Sequence, residues 1–300
     1  MSRLLLLCPG QGGQHAAMFA LARGDAGAAA LLDRLGVDTS VEPASMFDNR
    51  VAQPAIVAAT LAMWRAIGQA VATPALVAGY SVGELAAYAV AGALDMDEAV
   101  RLAGVRAALM DACAASHPGQ CLSAIGALPA RRRAALLEPA GFYVAIETGP
   151  ESCIVGGPAA GLAALAARVR LAGGSSAPLP VAVAAHTPYM AAAVAPFAEA
   201  LRATAFQAQR APVLAGVSAD GSVGKAMAVD CLSRQLAEKI IWTDCMDACA
   251  EAGITVALEL GPGGALSRML AARQPHIACR SVADFRTLDG IRQWLGRHLD

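Results

Sequence analysis

The sequence predicts an α/β fold: a large, hydrolase-like domain with a mostly parallel sheet flanked by helices, interrupted by a small ferredoxin-like insert. Three observations lead to this prediction. Short apolar runs alternate with helical stretches over most of the 300 residues, as is typical of parallel sheets. A Gly-x-Ser-x-Gly pattern follows one of these runs at Gly79–Gly83. Between residues 121 and 187 the order of elements becomes βαββαβ, which is the order of a ferredoxin-like unit.

The first part of the large domain, residues 1–120, begins with an apolar strand at 3–8 that ends in the glycine-rich loop Gly10–Gln14. Asp95 is a residue type that caps helix N-termini, so a long helix is expected after it. The other elements predicted here are helices at 16–35, 54–72 and 84–91 and a buried strand at 75–79.

The small subdomain is expected over residues 121–187, and the large domain resumes over 188–300. In the subdomain we predict strands at 121–128, 142–147, 153–157 and 178–185 and helices at 129–138 and 159–171. The resumed domain is predicted to contain helices at 189–204, 227–250 and 266–272, strands at 211–217 and 254–260, and a last strand–helix pair within 277–298.

The composition at first suggests a membrane protein. The hydrophobic fraction is 56%, and only 16% of residues are charged. A spanning helix needs about 20 consecutive apolar residues without helix breakers. The longest stretch without Asp, Glu, Lys or Arg, residues 171–198, contains four prolines and the pair Gly173-Gly174. We therefore expect a cytoplasmic protein that does not enter a membrane.

Charge and cysteine content argue against further classes of protein. A net charge of −1 provides no field that would attract nucleic acid or an anionic membrane. The eight cysteines show no CxxC pair and no metal-type Cys/His spacing, so we predict free thiols and no metal site.

The serine of the Gly-x-Ser-x-Gly pattern, Ser81, is the candidate nucleophile. It lies between a predicted strand and a predicted helix, where this pattern forms a tight turn that lifts the hydroxyl above the sheet. Such a serine needs a base. Among five histidines, His186 alone ends an apolar strand, where open α/β sheets place their sites. Backbone N–H groups of the Gly10–Gln14 loop could join that of Val82 in an oxyanion hole.

These pieces together resemble the malonyl-CoA–acyl carrier protein transacylases and related acyltransferase domains. The resemblance runs nearly from end to end. It rests on the Gly10–Gln14 loop, Gln53-Pro54-Ala55, Gly79–Glu84, Arg106, the segment from Pro180 to His186, Trp242, and Glu259–Gly263.

The resemblance implies a role for each matching residue. Ser81 would carry the acyl group, His186 would act as base, and the N–H groups of Gln11 and Val82 would form the oxyanion hole. Arg106 would pair with the malonyl carboxylate, for which a guanidinium fork is suited. Malonyl-CoA would be the donor substrate, the prosthetic thiol of an acyl carrier protein the acceptor, and no cofactor or metal would be bound.

Three positions depart from the family pattern. Tyr80 replaces the usual histidine before the nucleophile. Ile241, before Trp242, replaces a glutamine whose main-chain carbonyl orients the histidine in the family, and isoleucine is expected to keep that role because it has the same carbonyl. Residues 183–185 match neither sequence pattern that sorts extender units in polyketide acyltransferases, so malonyl selectivity is expected to depend mainly on Arg106.

Within the family, the segments 7–15 and 79–84 look most like the epsilon subunit of malonate decarboxylase. This resemblance predicts priming of that enzyme's carrier protein, with its other subunits as further partners. The alternative is the transacylase of fatty-acid synthesis. Two other classes stay open: a serine hydrolase or thioesterase, with Glu147 or Glu151 as its acid, and a non-catalytic subunit that only binds a carrier protein.

Overall fold

The computed structural model of the chain describes residues 2–37, 45–68, 71 and 73–299. Within this part, the larger sheet has six strands: Leu4–Cys8 (β1), Leu76–Gly79 (β2), Val213–Leu214 (β7), Gly221–Ser222 (β8), Val256–Glu259 (β9) and Ala278–Ser281 (β10). Their order across the sheet is β10-β9-β1-β2-β7-β8. Every neighbouring pair is parallel except β7 and β8. The predicted α/β fold with a mostly parallel sheet is confirmed.

Helices enclose the large sheet, so strand β1 has every side chain buried. A strand covered on both faces is expected to be a continuous apolar run, as Leu4–Cys8 is. The helices of this part of the chain are Ala26–Leu35 (α1), Asn49–Ile67 (α2), Gly83–Val90 (α3), Met96–Ser116 (α4), Ala191–Ala203 (α7), Lys225–Arg234 (α8), Trp242–Glu251 (α9), Ala265–Arg273 (α10) and Leu288–Leu299 (α11).

The smaller sheet is antiparallel and carries its own apolar cluster around Phe142 and Leu165. Its elements are Gln120–Gly126 (β3), Ala130–Leu137 (α5), Tyr143–Gly149 (β4), Ser152–Pro158 (β5), Leu162–Leu171 (α6) and Ser175–Pro178 (β6). The strand order β4-β5-β3-β6 agrees with a ferredoxin-like unit. The division into domains at residues 121 and 187 stays a prediction.

The strand predicted at 178–185 is misplaced. Strand β6 ends at Pro178, and residues 179–187 form no strand. Proline has no N–H for a sheet ladder, and Pro178 and Pro180 stand at the start of the predicted strand. His186 therefore lies in a turn rather than at a strand end.

The helix predicted at 227–250 is two helices, α8 and α9. Between them the Ile240 backbone pairs with the small sheet: its N–H donates to Ala145 O at 2.9 Å, and its carbonyl accepts from Glu147 N at 2.8 Å. These bonds hold the link between α8 and α9 against strand β4 of the small sheet.

Two predicted helices in the first part differ in extent. Only 26–35 of the predicted 16–35 forms an α-helix. The helix predicted at 54–72 begins at Asn49 and ends at Ile67, while residues 69, 70 and 72 lie outside the described residues. None of the helices that the structure describes is long and apolar enough to cross a membrane.

Candidate active site

Ser81 lies in a sharp turn between β2 and α3, with a φ of 56°. This left-handed conformation is strained for a residue other than glycine. The flanking glycines are required because a Cβ at Gly79 would lie 2.3 Å from the Glu84 backbone, and one at Gly83 would lie 2.1 Å from the Cys8 carbonyl oxygen. The turn therefore has the tight geometry of a nucleophile elbow.

The structure brings His186 to Ser81, with 2.8 Å between Nε2 and Oγ. On the other side of the ring, Nδ1 contacts the main-chain carbonyl of Gln235. A carbonyl can only accept, so Nδ1 carries the proton and Nε2 is left as an acceptor for the serine hydroxyl. His186 also has a positive φ of 60°, and its N–H donates to Leu236 O at 2.8 Å.

The electrostatic surroundings keep the His186 ring neutral. Burial and, to a smaller extent, the positive charge of Arg106 lower the pKa of His186 to about 3, although the hydrogen bond to Gln235 opposes both effects. A neutral imidazole with a free Nε2 is the form that can accept a proton from Ser81.

Arg106 is the third member of this cluster. It lies on α4, is 2% exposed, and directs Nη2 toward Ser81 Oγ at 3.3 Å. Its other partners are neutral: Nη1 donates to Gln53 Oε1 at 2.8 Å and to Met110 Sδ at 3.2 Å, and Nη2 approaches Gln235 Oε1 at 3.4 Å.

No carboxylate of the described residues forms an ion pair with Arg106. Burial lowers the pKa of Arg106 to about 10, against the opposing effect of Glu84. The guanidinium is therefore a buried cation next to Ser81, and an uncompensated buried charge favours a ligand of opposite charge.

The expected role of Ile241 is wrong. Its carbonyl accepts the N–H groups of Asp244 and Cys245 at 3.0 and 3.1 Å, at the beginning of α9, and its own N–H donates to Gly216 O at 2.9 Å. Both backbone groups are thus used elsewhere. The carbonyl that orients His186 is that of Gln235, at the end of α8.

Sequence reasoning missed Gln235 and the role of Glu84. Glu84 is fully buried, and its Oε2 accepts from Gly216 N at 3.1 Å and from Gln235 Nε2 at 2.8 Å. Burial raises the pKa of Glu84 to about 8. The sequence signal available for Glu84 was its position directly after the elbow glycine Gly83. A main-chain carbonyl 49 residues from His186 has no sequence signature.

The glycine-rich loop lies against the elbow. A Cβ at Gly10 would be 2.7 Å from the Tyr80 carbonyl oxygen and 3.4 Å from Ser81 Cβ. Among the described residues, no acceptor is assigned to the backbone N–H of Gln11 or of Val82. Both N–H groups could therefore donate to a ligand.

Tyr80, which replaces the family's usual histidine, packs edge-to-face on Trp242, with ring centroids 5.1 Å apart. Burial raises the pKa of the Tyr80 hydroxyl, so the side chain is neutral.

A cleft of about 770 Å³ opens between the beginning of α2, the helix α4 and residues 179–183. Two of its lining residues are linked to predicted site residues. Asn49 accepts a hydrogen bond from Gln11 Nε2 at 3.3 Å, and Val183 lies three residues before His186. The volume falls in the usual range of small-molecule sites.

All eight cysteines are free. Burial raises the pKa of each thiol, to about 11 for Cys231 and to about 12 for Cys249 and Cys279. No group of three or more His, Cys, Asp or Glu side chains in the described ranges could hold a metal ion.

Comparisons with known proteins agree with this geometry. The acyl transferase domain family matches residues 5–278. The malonyl CoA-acyl carrier protein transacylase of Mycobacterium tuberculosis (strain ATCC 25618 / H37Rv) is 32% identical, over 96% of this chain and 99% of that protein. The transacylase of the same name from Salmonella typhimurium is 30% identical, over 89% and 91%.

Solved structures show the same fold. The malonyl-CoA:acyl carrier protein transacylase of Xanthomonas oryzae pv. oryzae superposes with a TM-score of 0.89 at 28% identity, over 99% of each chain. The acyl-carrier-protein S-malonyltransferase of Burkholderia pseudomallei gives 0.89 at 26% identity, over 97% of this chain and 99% of that one. Because the family match covers nearly the whole chain and the relatives match over almost their full length, the chain belongs to the acyl transferase domain family and is an acyltransferase of the malonyl transacylase type.

Proposed function

We propose that this protein transfers a malonyl group from malonyl-CoA to the prosthetic thiol of an acyl carrier protein, through a malonyl ester of Ser81. The observation that carries the proposal is the buried Arg106 guanidinium beside the Ser81–His186 pair, without a carboxylate partner among the described residues. The names of the curated relatives support the same donor and acceptor.

In the first half-reaction His186 Nε2 takes the proton of Ser81 while Oγ attacks the thioester carbon. The N–H groups of Gln11 and Val82 stabilise the resulting oxyanion. When the C–S bond breaks, His186 returns the proton to the sulfur of CoA. The carrier-protein thiol then attacks the Ser81 ester, with His186 taking the thiol proton and returning it to Oγ. Each step transfers an acyl group between sulfur and oxygen, so no redox cofactor takes part.

Arg106 gives the reaction its acyl preference in this proposal. A malonyl group carries a free carboxylate two bonds from the thioester carbonyl carbon, and a guanidinium can hold a carboxylate through two parallel hydrogen bonds. An acetyl group leaves the buried cation without a partner, so it is bound less well.

A triad hydrolase is disfavoured by the environment of His186. The hydrolase alternative requires an acidic residue on Nδ1, but this nitrogen faces the Gln235 carbonyl. Glu147 lies on β4 and pairs instead with Lys239 at 2.5 Å. The hydrogen-bonded pair of Ser81 and His186 likewise disfavours a non-catalytic subunit.

The proposal extends to the pathway in which the protein acts. The relatives named above are malonyl CoA-acyl carrier protein transacylases, which favours the role in fatty-acid synthesis over priming of malonate decarboxylase. The decarboxylase role and its subunits as partners stay a prediction. Comparing malonyl transfer to the carrier proteins of the two systems under identical conditions would decide between them.

The experiment that tests the proposal is intact-mass analysis after incubation with malonyl-CoA. We expect the wild-type chain to gain one malonyl group and to lose it when a carrier protein bearing its prosthetic thiol is added, while Ser81→Ala gains none. An unchanged wild-type mass would contradict the proposal. Release of free malonate without a carrier, at the rate of transfer, would instead support a thioesterase.

A further inference from the structure

Arg106 is connected to a buried carboxyl group through one amide side chain. The amide of Gln235 donates from Nε2 to Glu84 Oε2 at 2.8 Å, and its Oε1 faces Arg106 Nη2 at 3.4 Å. All three side chains are at most 2% exposed. Arg106 in turn reaches Ser81 Oγ at 3.3 Å, so the chain of contacts ends at the nucleophile.

The chemistry of its two neighbours allows this amide only one orientation. A guanidinium has donors and no acceptor, whereas a carboxyl oxygen without a proton only accepts. With the amide reversed, its NH₂ group would face the Arg106 donors and its oxygen would face Glu84 Oε2. Both contacts would be repulsive, and in a buried site the unpaired groups would carry the full cost of desolvation. Glu84 therefore fixes which end of Gln235 faces Arg106.

To hold the Gln235 amide, Glu84 needs an acceptor atom but no negative charge. Oε2 receives both hydrogen bonds, from Gln235 and from the Gly216 N–H, whereas Oε1 has no hydrogen-bond partner among the described residues. A neutral carboxyl with its proton on Oε1 still accepts at Oε2. Burial also disfavours the charged form of this group, in agreement with a neutral acceptor.

We propose that Glu84 is a positioning residue for the malonyl transfer proposed above: through the Gln235 amide it holds the Arg106 guanidinium beside Ser81, and it thereby sets the preference for acyl groups that carry a free carboxylate. The inference rests on that proposed function. It adds a selectivity determinant that contacts neither the substrate nor the nucleophile.

The test compares Glu84→Met with Glu84→Gln. Methionine has a similar length and no oxygen acceptor, whereas glutamine keeps an acceptor and removes the ionisable group. Single-turnover acylation of Ser81 is measured with malonyl-CoA and with acetyl-CoA, and the ratio of the two rates is the readout. We expect the ratio to fall at least about tenfold in Glu84→Met, which corresponds to one buried donor left unsatisfied, and to stay within about threefold of wild type in Glu84→Gln.

Gln235→Met provides the second variant, since it removes the same amide while leaving the main-chain carbonyl that contacts His186. It should lower the ratio as Glu84→Met does, and it carries the test if Glu84→Met fails to fold. Glu98→Met is the control: Glu98 is a partly exposed glutamate on α4, the helix that carries Arg106, and pairs with Arg101 at 2.7 Å. Its ratio should equal that of wild type.

The outcomes separate the two proposals. If wild type prefers malonyl and the folded Met variants keep that preference, or lose malonyl and acetyl transfer equally, the positioning role of Glu84 is overturned. A tenfold fall in Glu84→Gln would overturn it as well, because the acceptor would then not suffice. If wild type itself forms no malonyl-Ser81, the proposed function fails, and this inference fails with it. If wild type forms malonyl-Ser81 but shows no preference over acetyl, the inference fails while malonyl transfer stands.

Discussion

The Arg106 guanidinium lies 3.3 Å from the Ser81 hydroxyl oxygen and has no ion-pair partner in the described part of the chain. In the proposed reaction, a buried cation this close to Ser81 acts on the acyl group that Ser81 receives. This contact therefore bears on substrate choice.

Replacing Arg106 with lysine should lower malonyl transfer at least about tenfold while acetyl transfer changes much less. Lysine keeps the charge but cannot form two parallel bonds to a carboxylate. It also cannot reach Gln53, Met110 and Gln235 at once. Single-turnover acylation with the two CoA esters measures the effect, and an equal loss with both would contradict a role in selectivity.

Acylation of Ser81 should not depend on pH between about 5 and 8. Burial and the Arg106 charge lower the pKa of His186 to about 3, so the base is neutral throughout this range. Single-turnover rates with malonyl-CoA, taken at short times after a pH jump, measure this profile. A loss of rate with a midpoint near the ordinary histidine value of 6.5 would contradict it.

His186 should also make the stability of the fold sensitive to acid. Below pH 6.5 the unfolded chain binds a proton at His186 that the native state does not bind until about pH 3. The free energy of unfolding therefore decreases as pH falls through this window, by roughly a few kcal/mol. Urea unfolding at pH 7 and pH 4.5 should show a smaller decrease for His186→Gln than for wild type. Equal decreases would mean that His186 titrates normally.

Glu84 should make the stability of the fold depend on pH in the opposite direction. Its pKa is raised from 4.5 to about 8, so the native state holds a proton that the unfolded chain releases above pH 4.5. The resulting stability is present below pH 4.5 and is lost as pH rises through 8. Because Glu84→Gln does not titrate, its stability relative to wild type should be higher at pH 9 than at pH 5. Urea unfolding at both values tests this, and a difference independent of pH would contradict it.

Gly83→Ala should destabilise the elbow by several kcal/mol, because its Cβ would lie 2.1 Å from the Cys8 carbonyl oxygen and the backbone would have to shift. Gly296→Ala is the matched control. Gly296 lies within α11 with nothing within 4 Å of an added Cβ, so alanine there should be neutral or stabilising by up to about 1 kcal/mol. Thermal unfolding of both variants gives the comparison, and similar melting temperatures would mean that the elbow is less tightly constrained.

The α/β fold and the Ser81–His186 pair could be predicted because their signals are local. Buried parallel strands appear as apolar runs, and the elbow requires glycines at fixed positions. The placement of His186 was predicted for a partly wrong reason. Residues 179–185 are apolar like a strand, but the prolines at 178 and 180 keep the segment out of the sheet.

The interactions around Arg106 and His186 could not be predicted in the same way. Gln235 contacts His186 through a main-chain carbonyl. Because every residue has such a carbonyl, residue type could not distinguish Gln235 from Ile241 as the partner of His186. The carbonyl that faces the histidine depends on where α8 ends, and the extended link at Ile240 was hidden within an apparently continuous helical pattern.

The eight free thiols, six of them buried and two partly buried, have a consequence for the proposed chemistry. The acceptor in that reaction is itself a thiol, and a cysteine ionised near the ester could take the malonyl group or react with thioesters in solution. Because every cysteine has a raised pKa, thiolates are scarce on this enzyme at neutral pH. In the proposed reaction, the malonyl group can thus pass from the sulfur of CoA through Ser81 to the sulfur of the carrier protein without capture by a thiolate of this chain.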